Sequence, residues 1–205
     1  MKKIITLLFS IFFLYSPSVF ADDISDFEIE GISIGDSLLD YMSEDEILEE
    51  IENSERYYYL NEPNKFAEIY LNKGVSTYDN LSVFIKTESS NQYITNKNEK
   101  YSIQSIRGMI TFIEDFDACM IQRDEILEFF PKIFQNTQKE EKKIIHSADP
   151  SGDSISDGVY FYFDSGALIY SACIDYEETF RIEKNWSDTL NVVIQTEEIV
   201  NWFRN

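Results

Sequence analysis

Groups that usually carry catalysis are scarce in this chain. Its 205 residues include two cysteines and one histidine, His146. A cysteine nucleophile needs a neighbouring base or a positive field, and this chain offers a single imidazole for that task. His146, Ser147 and Asp149 supply the residue types of a hydrolase triad, but their local order does not suit a nucleophile elbow. The sequence therefore identifies no catalytic, cofactor-binding or metal-binding residue.

Positive charge is scarce as well. The chain has 17 Lys and Arg against 38 Asp and Glu, a formal net charge of −21. Binding to nucleic acid or to anionic lipid requires clustered basic side chains, so neither is an expected partner. A surface of this charge steers basic or neutral partners towards itself.

No apolar run is long enough to span a membrane, which takes about 20 residues. The nearest, Ile4–Tyr15, follows Lys2 and Lys3 and precedes a small-x-small cleavage signal. These are the three parts of a secretory signal peptide. We expect residues 1–21 to be this leader, and residues 22–205 to form a single acidic α+β domain. Export to the periplasm or the medium is predicted, without a membrane span. No lipid anchor is expected either, because Asp22 and Asp23, and no cysteine, stand directly after the cleavage site.

The two cysteines, Cys119 and Cys173, are predicted to form a disulfide. Oxidising conditions outside the cytoplasm let such pairs close and persist. The bridge would close a loop of 173 − 119 = 54 residue steps, and chain entropy gives it a value of about 4 kcal/mol. The alternative is two buried free thiols, since free cysteine is often a core residue.

Periodicity predicts an α+β fold, with an antiparallel sheet and helices packed on one of its faces. Helices are expected after a capping box at Ser43, from Asp115 or Asp117, and after Thr196. The polar stretch 135–157 is interpreted as a long surface connection. Strands are indicated at 66–71, 81–85, 101–113, 159–163, 167–176 and 190–194.

One sequence pattern occurs twice. Asp-x-Leu-x-Val-x-Ile-x-Thr is found at Asp79–Thr87 and again at Asp188–Thr196. The echo raises the alternative that the chain holds two related strand-rich halves. Alternating strands also resemble one another by default, so the pattern fits two unrelated strands equally well.

The strand at 159–163 carries the candidate binding face. Side chains alternate along a strand, which places Tyr160 and Tyr162 on one face and the apolar residues between them on the other. Tyrosine offers a large amphipathic contact area at small entropic cost. Tyr160 and Tyr162 are therefore predicted to contact a partner, the alternative being that a helix covers them.

The loop before this strand has some features of a calcium site. Asp149, Asp153 and Asp157 are spaced four residues apart, and calcium prefers several oxygen ligands from such a loop. The glycine and glutamate positions of an EF-hand are not matched. A polar turn is the simpler interpretation.

A resemblance to a known group comes from the segment Phe27–Tyr41. Its core, Ile34-Gly35-Asp36-Ser37-Leu38-Leu39-Asp40-Tyr41, resembles the opening of a group of uncharacterised exported proteins of marine alphaproteobacteria. The closing Trp202-Phe203 is similar too. The resemblance spans most of the exported chain and implies no known activity.

These observations favour a non-enzymatic exported protein that binds a protein, a peptide or an envelope component. The alternative is a carboxylate-dependent extracytoplasmic hydrolase, since glycosidase-type chemistry needs only two suitably spaced carboxyl groups. The abundance of acidic residues, 38 in all, prevents the sequence from naming such a pair.

Overall fold

A computed structural model describes residues 24–52, 65–71, 76–87, 100–130, 134 and 136–204. The expected leader, residues 1–21, lies outside these ranges. In chain order the elements are β1 (Glu28–Ile29), β2 (Ile32–Ser33), α1 (Glu44–Glu52), β3 (Phe66–Leu71), β4 (Asn80–Lys86), β5 (Ile103–Thr111), α2 (Phe116–Leu127), β6 (Thr137–Ile145), β7 (Ile155–Phe163), β8 (Leu168–Asp175), α3 (Glu178–Lys184), β9 (Thr189–Gln195) and α4 (Glu197–Arg204).

The predicted α+β fold is confirmed. A seven-stranded antiparallel sheet has the order β3-β4-β5-β9-β8-β7-β6, and β1 and β2 form a separate small hairpin. The sheet thus consists of two three-stranded meanders, β3-β4-β5 and β6-β7-β8, joined through β9. The two echoing segments form β4 and β9, which lie on either side of β5. One is the middle strand of a meander and the other joins the meanders, so they do not occupy equivalent positions.

The sheet buries most of the core on one face, here called the α2 face. Ile69, Val83, Leu190 and Cys173 lie on it in a continuous apolar cluster that also contains Ile47 of α1. Residues of α2 join the same cluster. Helices α1 and α2 therefore pack on the face that the alternation of the strands makes apolar.

Helix α4 packs on the opposite face, here called the α4 face, whereas the sequence predicted helices on one face only. Phe66 and Phe84 project there, and Trp202 lies with its ring centroid 5.2 Å from Phe66 and 6.1 Å from Phe84. Ile199 completes this second cluster. An amphipathic helix needs an apolar surface to cover, and the two phenylalanines provide it.

The predicted helix starts are confirmed by their caps. Ser43 N donates to Glu46 Oε2 at 2.9 Å, and Glu46 N donates back to Ser43 Oγ at 3.4 Å. Of the two candidates for α2, Asp115 is the cap, accepting from Ala118 N at 3.1 Å. Thr196 Oγ1 accepts from Ile199 N at 3.4 Å at the start of α4. Each cap satisfies an amide that the first helical turn leaves without a partner.

The long surface connection predicted at 135–157 is wrong. Nine of its residues, Thr137–Ile145, form the edge strand β6, which pairs along its whole length with β7. The strand is largely exposed on both faces, so no apolar alternation marks it. Its lysines and glutamates are typical of edge strands, where charge opposes further strand addition.

The predicted pairing of Cys119 and Cys173 is confirmed. Their sulfur atoms lie at bonding distance, with Cα atoms 6.0 Å apart, and connect α2 to β8. One helical turn after Cys119, Arg123 forms an ion pair with Asp157 on β7. Asp157 lies directly across from Cys173 in the register of β7 and β8. A covalent bond and an ion pair thus fix the same face of α2 to the same part of the sheet.

Candidate functional site

A groove of about 500 Å³ opens on the α4 face. The sheet supplies its floor and one side, and α4 supplies the other. The described residues that line it are Phe84, Ser105, Arg107, Ile144, Tyr160, Leu168, Tyr170, Val193, Gln195, Val200, Phe203 and Arg204. A volume of this size suits a small-molecule ligand.

The predicted tyrosine face forms part of this groove. Tyr160 lines it, and the ring of Tyr162 lies beside that of Tyr160 with centroids 6.5 Å apart and planes 18° apart. Both rings are half-buried. Their shared orientation agrees with the alternation of β7, while their role in binding stays a prediction.

Tyr170 belongs to the same site and was missed from the sequence. Its ring stacks on Tyr160, with centroids 5.1 Å apart and planes 25° apart. The register of the β7–β8 hairpin places these two residues directly opposite each other. Counting outward from the turn at 164–167 would have found it. The three rings stand side by side across two strands.

A glycine makes room for the stack. A Cβ atom on Gly158 would lie 2.9 Å from the Tyr160 ring and 2.9 Å from the Ala172 Cβ. Real Cβ atoms do not approach other atoms so closely, so the absence of a side chain at Gly158 lets the Tyr160 ring lie over the strand.

The phenol groups of Tyr160 and Tyr170 stay neutral across the physiological range. Burial raises the pKa of Tyr170 to about 12, and burial also raises the pKa of Tyr160. Each neutral phenol can both donate and accept a hydrogen bond. The stack therefore presents an amphipathic surface rather than a charged one.

Lys142 on the edge strand β6 lies against the outer side of this stack. Its Nζ is 5.6 Å from the centroid of Tyr160 and 5.5 Å from that of Tyr162. The same Nζ donates to Tyr162 Oη at 3.1 Å and pairs with Glu140 at 2.8 Å. Contacts of an ammonium with aromatic faces are favourable, so Lys142 holds the two rings in place.

Arg107 lies on the groove floor and has a fixed orientation. Its Nε donates to Ser82 Oγ at 3.2 Å, and its guanidinium forms an ion pair with Glu68 on β3. Glu68 is only 3% exposed. A buried carboxylate with a hydrogen-bonded cation holds that cation in one geometry.

Ser105 contributes a buried hydroxyl to the groove, and this hydroxyl has no hydrogen-bond partner among the described residues. Its neighbours across the strands are Phe84 and Gln195, both in the lining. A buried polar group without a partner costs free energy. The same holds for Ser171, but that residue pairs with Val192 and Val159 on the α2 face.

The loop at 149–157 has the geometry of a polar turn. The Asp149 carboxylate accepts from the amides and the hydroxyls of Ser151 and Ser154, at 2.7 to 3.0 Å. Asp157 points instead to Arg123. The part of the chain that the structure describes holds no group of three or more His, Cys, Asp or Glu placed to bind a metal ion.

One further motif has the spacing of a serine hydrolase. Gly31-Ile32-Ser33-Ile34-Gly35 matches G-x-S-x-G, which in such enzymes forms a sharp turn between a strand and a helix. Here Ser33 lies in β2, the second strand of a small hairpin whose two strands have two residues each. The backbone amide of Ser33 donates a hydrogen bond to Asp36 Oδ2 at 2.9 Å. The spacing is therefore not accompanied by the required geometry.

No protein-family model, no curated protein and no solved structure matches the chain. Of the helices that the structure describes, none combines the length and the apolar character needed to cross a bilayer.

Proposed function

We propose that this chain is an exported protein that acts by binding a ligand in the groove on the α4 face. The observation that carries this proposal is the groove itself, about 500 Å³ between a stack of tyrosines and an amphipathic helix. Sites for small ligands are typically concave, largely apolar and equipped with a few polar groups. The disulfide between Cys119 and Cys173 supports export, because such bonds persist mainly outside the cytoplasm.

The composition of the lining favours binding over hydrolysis. A carboxylate-dependent hydrolase needs two carboxyl groups facing one cleft, about 5 to 9 Å apart. Among the described residues that line the groove, none is Asp or Glu. The lining offers rings, aliphatic side chains and hydrogen-bonding groups, which are the parts of a recognition surface.

A matched pair on β6 provides the test. Ile144 and Ile145 are neighbours of the same type, 49% and 63% exposed, but alternation directs them to opposite faces and only Ile144 lines the groove. The purified protein and its Ile144→Ser and Ile145→Ser variants are each incubated with envelope extract. Retained molecules are identified by native mass spectrometry, and melting temperatures are recorded in parallel.

We expect Ile144→Ser to reduce retention of whatever the parent binds, and Ile145→Ser to leave it unchanged, with similar melting temperatures. The double variant Tyr160→Ser/Tyr162→Ser should abolish retention, because it removes one side of the groove. Equal retention by all variants would show that binding takes place elsewhere and would refute the proposal.

A further inference from the structure

The groove differs in charge from the rest of the molecule. The chain has 38 Asp and Glu, and none is found among the described lining residues, whereas two of its five arginines, Arg107 and Arg204, are. Arg204 forms no ion pair with any residue in the described ranges. Glu68 balances the charge of Arg107, so the excess positive charge at the groove comes from Arg204. A positive charge that no described acidic residue pairs, at a groove of an acidic protein, points to a ligand of the opposite charge.

Ser105 adds a polar group that the fold leaves unused. Ser105 lines the groove, and its buried hydroxyl has no hydrogen-bond partner in the described part of the chain. Groups of this kind are rare in folded proteins and require an explanation. A ligand atom that accepts or donates a hydrogen bond there would satisfy the hydroxyl and remove the cost of its burial.

Apart from Gln195 and the tyrosines, the remaining described lining is apolar and runs alongside these polar groups. Phe84, Val193 and Leu168 lie on the floor, while Val200 and Phe203 face them from α4. A ligand that fills the groove must therefore carry an apolar body as well as a polar end. Apolar burial would supply most of its affinity and the polar groups its orientation.

We infer that the groove binds a small amphipathic anion, with its apolar body along α4 and its anionic head group near Arg107, Arg204 and Ser105. The inference rests on the proposed function and names the ligand class for the same site. It also opposes the expectation from net charge, which favours basic or neutral partners.

Three probes with one apolar chain and different head groups test the charge. Decanoate, decanol and decyltrimethylammonium are titrated into the purified protein, the two ionic probes below their micelle concentrations and decanol below its solubility limit. Dissociation constants are measured by calorimetry. Charge-assisted hydrogen bonds should make decanoate bind about tenfold more tightly than decanol. The cationic probe should bind most weakly, although the net charge of −21 attracts it.

Two serines provide matched variants. Ser105 and Ser171 are both buried without partners, but on opposite faces of the sheet. Each change to Ala should keep or raise the melting temperature, since it removes an unsatisfied hydroxyl. Ser105→Ala should weaken decanoate binding about fivefold, and Ser171→Ala should not change it. Arg204→Gln should weaken decanoate about threefold without affecting decanol.

The outcomes separate this inference from the proposed function. If decyltrimethylammonium or decanol binds as tightly as decanoate, the anionic head group is wrong while binding in the groove stands. If no probe binds but Ile144→Ser still reduces retention of a molecule from envelope extract, the ligand belongs to another class. The anionic ligand is then wrong, while the proposed binding function stands. If no probe binds and Ile144→Ser changes nothing, both fail.

Discussion

Arg107 on β5 reaches across β4 to pair with Glu68 on β3, and the two partners differ greatly in exposure. The side chain of Glu68 is 1% exposed and that of Arg107 is 26% exposed. The carboxylate therefore depends on the guanidinium far more than the reverse. The ion pair also links β3, at the edge of the sheet, to β5, which forms part of the groove floor.

Removing the two partners should have unequal effects. Arg107→Met leaves a buried carboxylate without that cation and should lower the free energy of unfolding by about 3 kcal/mol or more. Glu68→Gln leaves a cation that water can still reach, so the free energy of unfolding should fall by only about 1 to 2 kcal/mol. Urea denaturation measures both.

The control for this pair is Glu198→Gln. Glu198 pairs with Lys86 at 2.5 Å, and the two side chains are 38% and 40% exposed. An exposed ion pair contributes less than about 1 kcal/mol. A loss for Glu68→Gln equal to or larger than that for Arg107→Met would contradict the assignment of Glu68 as the dependent partner.

The disulfide should make a large contribution to stability. Cys119 and Cys173 are separated by 54 residues, and reducing a bridge over such a loop should lower the free energy of unfolding by up to about 4 kcal/mol. Denaturation with and without a reductant measures the difference. Titration of the unfolded, unreduced protein should find no free thiol, and two thiols per chain would disprove the bridge.

Asp149 should make the free energy of unfolding depend on pH in the acidic range. The Ser154 hydroxyl, with help from Ser151, holds the pKa of this carboxyl well below its ordinary value of 3.8. A lowered folded pKa stabilises the protein above the ordinary value, and this contribution is lost as the pH falls towards the folded pKa. Asp149→Asn should be less stable than the parent at neutral pH, with the difference shrinking below about pH 4.

The neighbouring Asp153 offers the control for that experiment. Its carboxylate is exposed in the same turn, so Asp153→Asn should change the free energy of unfolding at neutral pH by less than about 0.5 kcal/mol. A constant gap between the parent and Asp149→Asn down to about pH 2 would argue against a lowered pKa.

Calcium should have no specific effect on the loop at 149–157. The oxygens of Asp149 are engaged by serine hydroxyls and amides, and Asp157 is engaged by Arg123. At equal ionic strength, calcium and magnesium should raise the melting temperature equally, through screening of the negative charge. A larger rise with calcium that Asp149→Asn removes would reveal a site.

The sequence predicted best those features that depend on neighbouring residues. The capping box at Ser43 and the cap at Asp115 are each encoded within a few positions, because caps use local hydrogen bonds. That Tyr160 and Tyr162 lie on the same face of β7 follows from the alternation of side chains along a strand. The cysteine pair was predictable because the chain offers no other partner.

The features that were missed depend on residues far apart in the chain. Strand β6 shows no alternation, because neither of its faces is covered. Ser105 looks like any serine in a strand until β9 and α4 enclose it, and both come more than 80 residues later. The groove exists only after distant strands have paired in one register.

The central position of β9 also has a consequence for how the chain is completed. Strands β5 and β8 each pair with β9 and not with each other, so a nascent chain that ends before Thr189 exposes the inner edge of each meander. Such open edges can pair with other chains. The sheet can close only when nearly all of the polypeptide is present, which delays completion of the fold until late in synthesis.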